Sequence, residues 1–312
     1  MAAAPPAPPP GLRRRALALG LGALGLWPAL APCLPARRLQ FPRDHGSHPE
    51  LRTEWWYITG HAEAGGQLWG FQVTFFRSRV EATQGLQSAF AARQLLFAHA
   101  AVTDVRGRRL LHDQRIARAG FGVAHASEAD MQIRLHDWSL ERGDATPGPG
   151  SLYAARVEGA SFGLDLRFAT TQPVLLQGQE GLSRKGPQAP QASYYYSQPQ
   201  LAVSGSLVLE GRRMAVAAGT GRAWLDHEWS EALMHPEAVG WDWIGMNLAG
   251  GGALTAFRLR RADGSALWAG GSWRAPGGPV QVFAAQEVAF TPGRVWASPS
   301  SGARYPVQWR VR

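Results

Sequence analysis

From Phe41 onward, apolar and polar residues alternate along most of the chain. Met131, Ile133 and Leu135 interleave with Gln132, Arg134 and His136, the period-two signature of a strand with one buried face. Comparable short runs, rich in β-branched and aromatic residues, occupy 53–60, 67–77, 95–104, 131–140, 151–158 and 162–170. They resume at 201–210, 214–218, 222–229, 239–248, 254–261, 266–273 and 280–290. Gly65-Gly66, Asp263-Gly264 and Gly277-Gly278 read as hairpin turns between them. No convincing helical stripe exceeds two turns. Many short strands at near-regular spacing predict an all-β fold, a sandwich or a barrel.

Residues 171–200 break the alternation. Pro173, Pro187, Pro190 and Pro199 stand among Gln, Gly and Ser, which predicts a linker or long loop and places a domain boundary near residue 190. Tyr194-Tyr195-Tyr196 is too aromatic for a spacer and is expected to pack. The two halves also echo each other. Residues 55–73 align without gaps on 241–259, with Trp55/Trp241, Ile58/Ile244, Gly65/Gly251, Gly66/Gly252, Leu68/Leu254 and Phe71/Phe257 identical. Duplication of one β-domain accounts for the match, giving domains at 41–190 and 191–312.

The beginning of the chain reads differently. Arg13-Arg14-Arg15, an apolar run from Ala16 to Ala31 and small residues up to Ala36 have the order of an export signal within residues 1–38. Arg14-Arg15-Ala16-Leu17 loosely resembles a twin-arginine signal. The apolar run is short for a membrane span, leaving an uncleaved interfacial anchor as the other reading. Cleavage after Leu34-Pro35-Ala36 would expose Arg37, and Leu30-Ala31-Pro32-Cys33 is a poor lipoprotein box. The expected location is periplasmic or membrane-associated.

Composition narrows the picture. In 312 residues, 45% hydrophobic and 18% charged side chains exclude a disordered polyelectrolyte. The 37 Gly and 22 Pro oppose long helices. Thirteen Trp imply aromatic surfaces. The net charge of +9 falls to +4 once the five Arg of the leader are set aside. No basic run interleaved with aromatics follows, so nucleic acid is not an expected partner. Cys33 is the sole cysteine, and Lys185 the sole lysine. No disulfide framework or thiolate zinc site can form.

Phe41-Pro-Arg-Asp-His-Gly-Ser-His-Pro49, Thr53-Glu-Trp-Trp-Tyr-Ile-Thr-Gly60, Gly221-Arg-Ala-Trp-Leu-Asp-His-Glu-Trp-Ser230 and Gly240-Trp-Asp-Trp243 resemble the signature of the AttH/CrtC family. Tyr194-Tyr-Tyr-Ser197 fits that family's interdomain join. The resemblance runs from about residue 41 to the end. It implies two tandem lipocalin-like β-barrels, the second short because the sequence stops inside the alternating run Tyr305–Arg312. It also implies either carriage of a lipid or isoprenoid ligand in an aromatic-lined cavity, or the chemistry of carotenoid 1,2-hydratase. A transporter of the lipoprotein-release type is an implied partner, and no cofactor is implied.

Hydration of an isoprenoid terminal alkene needs an acid, a stabilised tertiary cation and delivered water. On a strand, Asp226 and Glu228 share one face, His227 and Trp229 the other. A carboxyl group in an apolar pocket holds its proton, and indole faces stabilise a cation. The candidate catalytic residues are therefore His227, Trp229, Asp242, Asp226 and Glu228, of which His227 and Trp229 best match the family's histidine–aromatic pair. The candidate ligand-binding residues are Trp55, Trp56, Tyr57, Trp224, Trp241 and Trp243. The resemblance also implies a Tyr-x-Asp pattern on the strand after the second Gly-rich turn, where Leu254–Leu259 carries no acid. Two other readings stand beside these. The Asp226–Glu228 run can be a structural hydrogen-bond network. Alternatively, Asp44, His45, His48 and Glu54, with Asp226, His227 and Glu228, supply nitrogen and oxygen donors for a metal-dependent secreted hydrolase.

Overall fold

The computed structural model describes residues 33–145, 150–232 and 234–312; nearly all of the expected export signal lies outside the described residues. Strands form at the alternating runs and also at 109–118, 124–126, 175–176 and 182–184, and the run 131–140, expected as one strand, is two strands about a turn at His136-Asp137. The strands are β1 (Thr53–Ala64), β2 (Gln67–Arg79), β3 (Gln94–Asp104), β4 (Arg109–Arg118), β5 (Ala124–Ala126), β6 (Gln132–Leu135), β7 (Trp138–Asp144), β8 (Ser151–Glu158) and β9 (Phe162–Ala169). The short β10 (Leu175–Leu176) and β11 (Leu182–Arg184) follow, then β12 (Ala192–Leu209), β13 (Arg212–Ala215) and β14 (Gly221–Ser230). All join one antiparallel sheet in the order β4-β3-β2-β1-β14-β12-β9-β8-β7-β6-β5, with β10, β11 and β13 on β12. The sheet curls into a nearly closed, lipocalin-like barrel. Gly65 and Gly66, at φ 60° and 78°, turn the β1–β2 hairpin in the left-handed conformation that a two-residue connection demands.

The domain boundary expected near residue 190 does not separate the sheets. β12 and β14 are hydrogen-bonded to β9 and β1 and complete the first barrel. The reason lies in the pattern itself: Tyr194, Tyr196, Leu201 and Val203 of β12 and Leu225 of β14 all face the same core as Trp56 and Ile58 of β1. The division between sheets falls after Ser230. Beyond it, β15 (Gly240–Asn247), β16 (Ala253–Arg260), β17 (Ala266–Arg274) and β18 (Val280–Phe283) make a four-stranded antiparallel sheet. Two ribbons follow, 290–292 with 309–311 and 295–297 with 304–306.

The barrel interior is filled. Trp56, Trp138, Trp229, Tyr153, Tyr196, Phe75 and Phe168 are fully buried there, which is the close packing expected of a protein core. A cavity of about 590 Å³ opens beside Arg77, Gln94, Leu96 and Ala124, with no Trp, Tyr or Phe in its lining.

The stretch 171–200 is not a free linker. It fastens the second sheet to the first. Gln200 lies at a register shift in β12 with φ 56°. Its side-chain amide donates to the carbonyls of Leu248 and Gly252, and its backbone N–H donates to Asn247 Oδ1. Arg274 donates to the carbonyls of Val174 and Pro173, and Ser272 to Gln177 Oε1. The duplicated segments both form hairpins, but in different register. Ile58 pairs with Val73, whereas Ile244 pairs with Ala256 rather than Leu259. The second turn spans 248–252 where the first needs two residues. Among the described residues, no helix is long and apolar enough to cross a membrane.

Candidate ligand cavity and its carboxyl groups

Strand pleating puts successive side chains of β1 and β14 on opposite faces. Trp56 and His227 are paired inside the barrel, while Trp55/Glu228 and Tyr57/Asp226 are paired outside it. The outer face of β1 and β2 with the Tyr195 end of β12 meets the aromatic face of β15–β16. Between them lies a cavity of about 420 Å³, walled by Trp55, Tyr57, Phe76, Trp241, Trp243 and Phe257, with Asp226, Glu228, Tyr195 and Lys185 among its lining. Gly245 makes room for the indoles: a Cβ there would meet the Trp243 ring at 2.6 Å and the Trp224 ring at 3.1 Å.

Asp226 Oδ1 accepts three hydrogen bonds, from Ser197 Oγ at 2.6 Å, Trp224 Nε1 at 2.8 Å and the Tyr195 hydroxyl at 2.9 Å. Oδ2 accepts none among the described residues. Burial and the neighbouring Glu228 carboxylate outweigh these donors and raise the Asp226 pKa to about 7, because desolvation disfavours the charged form. Glu228 has a different partner. Its Oε1 accepts from Ser193 Oγ and lies 2.9 Å from Lys185 Nζ. The ammonium in turn sits over the rings of Phe257 and Tyr195, at 4.3 and 4.7 Å, a cation–π arrangement. Two carboxyl groups two residues apart on one strand face are thus set in opposite surroundings, one among neutral donors and one against a cation.

The inner face of β14 carries a separate cluster. His227 Nε2 is 2.9 Å from Glu54 Oε1, and His48 Nδ1 is 2.7 Å from the same oxygen. His48 Nε2 lies 3.0 Å from Asp44 Oδ1, and Arg77 Nε donates to Glu54 Oε2 at 2.8 Å. The His48 ring stacks on Trp229 at 4.0 Å. With a carboxylate at each nitrogen, His48 has its pKa raised despite burial. Burial lowers that of His227 to about 4. His48, Glu54 and His227 come within 4.8 Å of one another. Glu54 is already committed to the Arg77 guanidinium and to both imidazoles, and the cluster lies in the packed core. That set does not fit a cation with an open position for water.

The structure separates the candidate residues. Asp226, Glu228, Trp55, Tyr57, Trp241 and Trp243 line the cavity. His227 and Trp229 are inside the barrel and do not, because one residue along a strand reverses the face. Trp56 is also inside, donating to the His45 carbonyl at 3.1 Å. Trp224 supports Asp226 and packs with Leu175 and Ala253. Asp242 points to the far face of β15, 2.7 Å from Arg258 Nε and 3.0 Å from Arg260 Nε, so it cannot replace the acid missing from β16. Of the metal-donor residues, Asp44, His48, Glu54 and His227 gather inside the barrel, while Asp226 and Glu228 line the outer cavity. The reading of single residues missed Tyr195, Lys185, Phe76, Phe97 and Phe257. Their signals were a lone lysine, an aromatic triplet inside an expected loop and outward aromatics on alternating strands.

No curated protein matches the chain. A crystal structure from Nitrosomonas europaea, described provisionally as an AttH, is 44% identical. It superposes with a TM-score of 0.80, over 90% of this chain and 83% of that one. Kievitone hydratase from Nectria haematococca is similar in fold, with 12% identity and a TM-score of 0.62, over 83% of this chain and 72% of that one. The family model for AttH-like proteins matches residues 32–312, and with that coverage the chain belongs to the AttH-like family.

Proposed function

We propose that this protein binds an apolar ligand, a lipid or an isoprenoid, in the cavity between the barrel and the second sheet. The observation that carries the reading is the wall itself. Trp55, Tyr57, Phe76, Trp241, Trp243 and Phe257 wall a space of about 420 Å³ whose surface is mostly apolar, with Asp226, Glu228 and Lys185 among the polar groups, the usual make-up of a site for a greasy molecule. The test is extraction of the purified protein and mass spectrometry of what it carries. A stoichiometric lipid or isoprenoid that is lost in Trp243→Ala supports the reading. A protein that arrives empty and fails to bind geraniol or fatty acids overturns it.

One observation favours a second reading, hydration of an alkene. Asp226 holds a proton near neutral pH beside an aromatic wall, and its Oδ2 takes no hydrogen bond among the described residues. Its proton would pass to the terminal alkene carbon, leaving a tertiary cation flanked by indoles. Water would add to the cation, and its surplus proton would go to the Glu228 carboxylate. Solvent exchange then restores both groups. Kievitone hydratase, a distant neighbour in fold, is consistent with water addition on this scaffold, though fold alone does not assign chemistry. Turnover of an acyclic carotene, abolished in Asp226→Asn, supports this reading; a bound ligand without turnover supports carriage alone. A metal-dependent hydrolase is not favoured, because His48, Glu54 and His227, though within 4.8 Å of one another, lie inside the barrel with Glu54 bound to Arg77.

Export to the periplasm or a membrane surface is part of the same proposal, resting on Arg13-Arg14-Arg15 and the apolar run after them. So is delivery of ligand to or from a transporter of the lipoprotein-release type. Fractionation of cells expressing the full chain tests the location.

A further inference from the structure

The cavity does not end where the second sheet stops covering it. On the outer barrel face one cross-strand row runs from Glu228 on β14 to Trp55 on β1, Phe76 on β2, Phe97 on β3 and Ile116 on β4. Each residue stands directly opposite the next in the ladder, the spacing at which side chains touch. Phe76 and Phe97 stack at 4.6 Å with their planes 8° apart. Exposure increases along the row. Phe76 is half-buried, Phe97 is 37% exposed and Ile116 is 66% exposed. The row between Trp55 and Ile116 contains no charge.

Its flanks are different. The row on one side is Asp226, Tyr57, Thr74, His99 and Gln114. The row on the other side is Ser230, Thr53, Ser78, Leu95 and Arg118. Polar groups therefore border most of an apolar stripe only one side chain wide. A broad apolar patch suits a protein or a bilayer, whereas a single-file stripe leading out of a cavity suits a linear chain. From β14 to β4 there are four strand steps, about 19 Å in all, the length of an extended chain of roughly fifteen carbons.

We propose that the row leading from Phe76 and Phe97, which line the cavity, to Ile116 beyond it is a chain subsite, along which the tail of a linear aliphatic or isoprenoid ligand leaves the cavity. This rests on the cavity reading above and extends it to a ligand longer than the cavity. Ile116 lies outside the cavity wall on the edge strand, so changing it leaves the cavity residues untouched.

The experiment follows quenching of tryptophan fluorescence in the full chain titrated with geraniol, farnesol and geranylgeraniol. In the wild type, affinity is expected to rise about tenfold or more from the ten-carbon to the twenty-carbon alcohol. In Ile116→Gln the gain falls severalfold while geraniol binds as before. Leu110→Gln, exposed on the same strand but paired with Thr103 off the row, keeps the wild-type gain. Affinity that does not grow with length, or an undiminished gain in Ile116→Gln, overturns the chain subsite while geraniol binding keeps the cavity. If geraniol itself does not bind the wild type, the cavity reading fails and the subsite fails with it.

Discussion

Asp226 and His227 are neighbours in the chain and face opposite sides of β14. The carboxyl group lies in the wall of the cavity between the barrel and the second sheet, and the imidazole lies inside the barrel against Glu54. Burial pushes both toward the neutral form, so the Asp226 pKa rises to about 7 and that of His227 falls to about 4. One strand therefore carries a proton-holding group on the ligand side and a structural base on the core side.

The raised pKa of Asp226 has a consequence for stability. The folded state holds this proton more tightly than the unfolded chain, whose value is 3.8. Its contribution is full below that value and is lost as pH rises through about 7. Asp226→Asn is expected to lower the melting temperature at pH 5 relative to that at pH 8, compared with the wild type. Thermal melts at the two pH values check this; an unchanged difference would argue against a protonated Asp226.

Acid acts on the inner cluster in the opposite direction. Glu54 and Asp44 are held well below their ordinary values by their hydrogen-bonding partners, while burial lowers His227 to about 4 and His45 to about 3. The two histidines start to cost stability as pH falls below the unfolded value of 6.5, and the carboxylates as it falls below about 4. His48, with a raised pKa, acts the other way, and its contribution is lost on raising the pH. Urea titrations from pH 7 to pH 4 should show a falling midpoint. Arg77→Met, which removes the guanidinium from buried Glu54, should cost about 3–5 kcal/mol at pH 7.

Lys185 and Glu228 are nearly buried together, with side chains 13% and 8% exposed. Lys185→Met leaves Glu228 without its cation and should destabilise the fold by about 3 kcal/mol. Lys185→Met combined with Glu228→Gln should cost less than the sum of the single changes. A double-mutant cycle in denaturant measures the coupling, and strict additivity would show that the pair is not a unit.

The segment before Arg37 is part of the fold. Leu34 is buried in the barrel core cluster, and the Tyr194 hydroxyl donates to the Pro35 carbonyl. Leu34→Ala should cost about 2–5 kcal/mol and Tyr194→Phe about 1 kcal/mol. Processing after Ala36 would remove both contacts, so a signal peptidase should cut upstream of Leu34. Denaturant titration and N-terminal sequencing of the exported protein check these expectations; a mature terminus at Arg37 on a fully stable protein would contradict them.

Much of the fold was legible in the chain because period-two alternation is a local property. It located β1 to β3, β8, β9 and β14 to β17, read the β6–β7 hairpin as one strand, and assigned Asp226 and Glu228 to one face, His227 and Trp229 to the other. It misjudged 191–230, since a strand's pattern marks a buried face without naming the sheet it completes. The repeat at 55–73 and 241–259 likewise predicted two hairpins and not their registers, because loop length sets the pairing.

What the sequence by itself determined is the inventory: alternating strands, a family signature, and a carboxyl-and-indole set able to hold a proton and surround an apolar molecule. The tertiary structure decided which members meet. Packing of the β15–β16 sheet on the outside of the barrel brings Trp241 and Trp243 to Asp226, while the core takes His227, Trp229 and Trp56. Strand parity is encoded locally, but which face receives a second sheet depends on contacts between residues far apart in the chain.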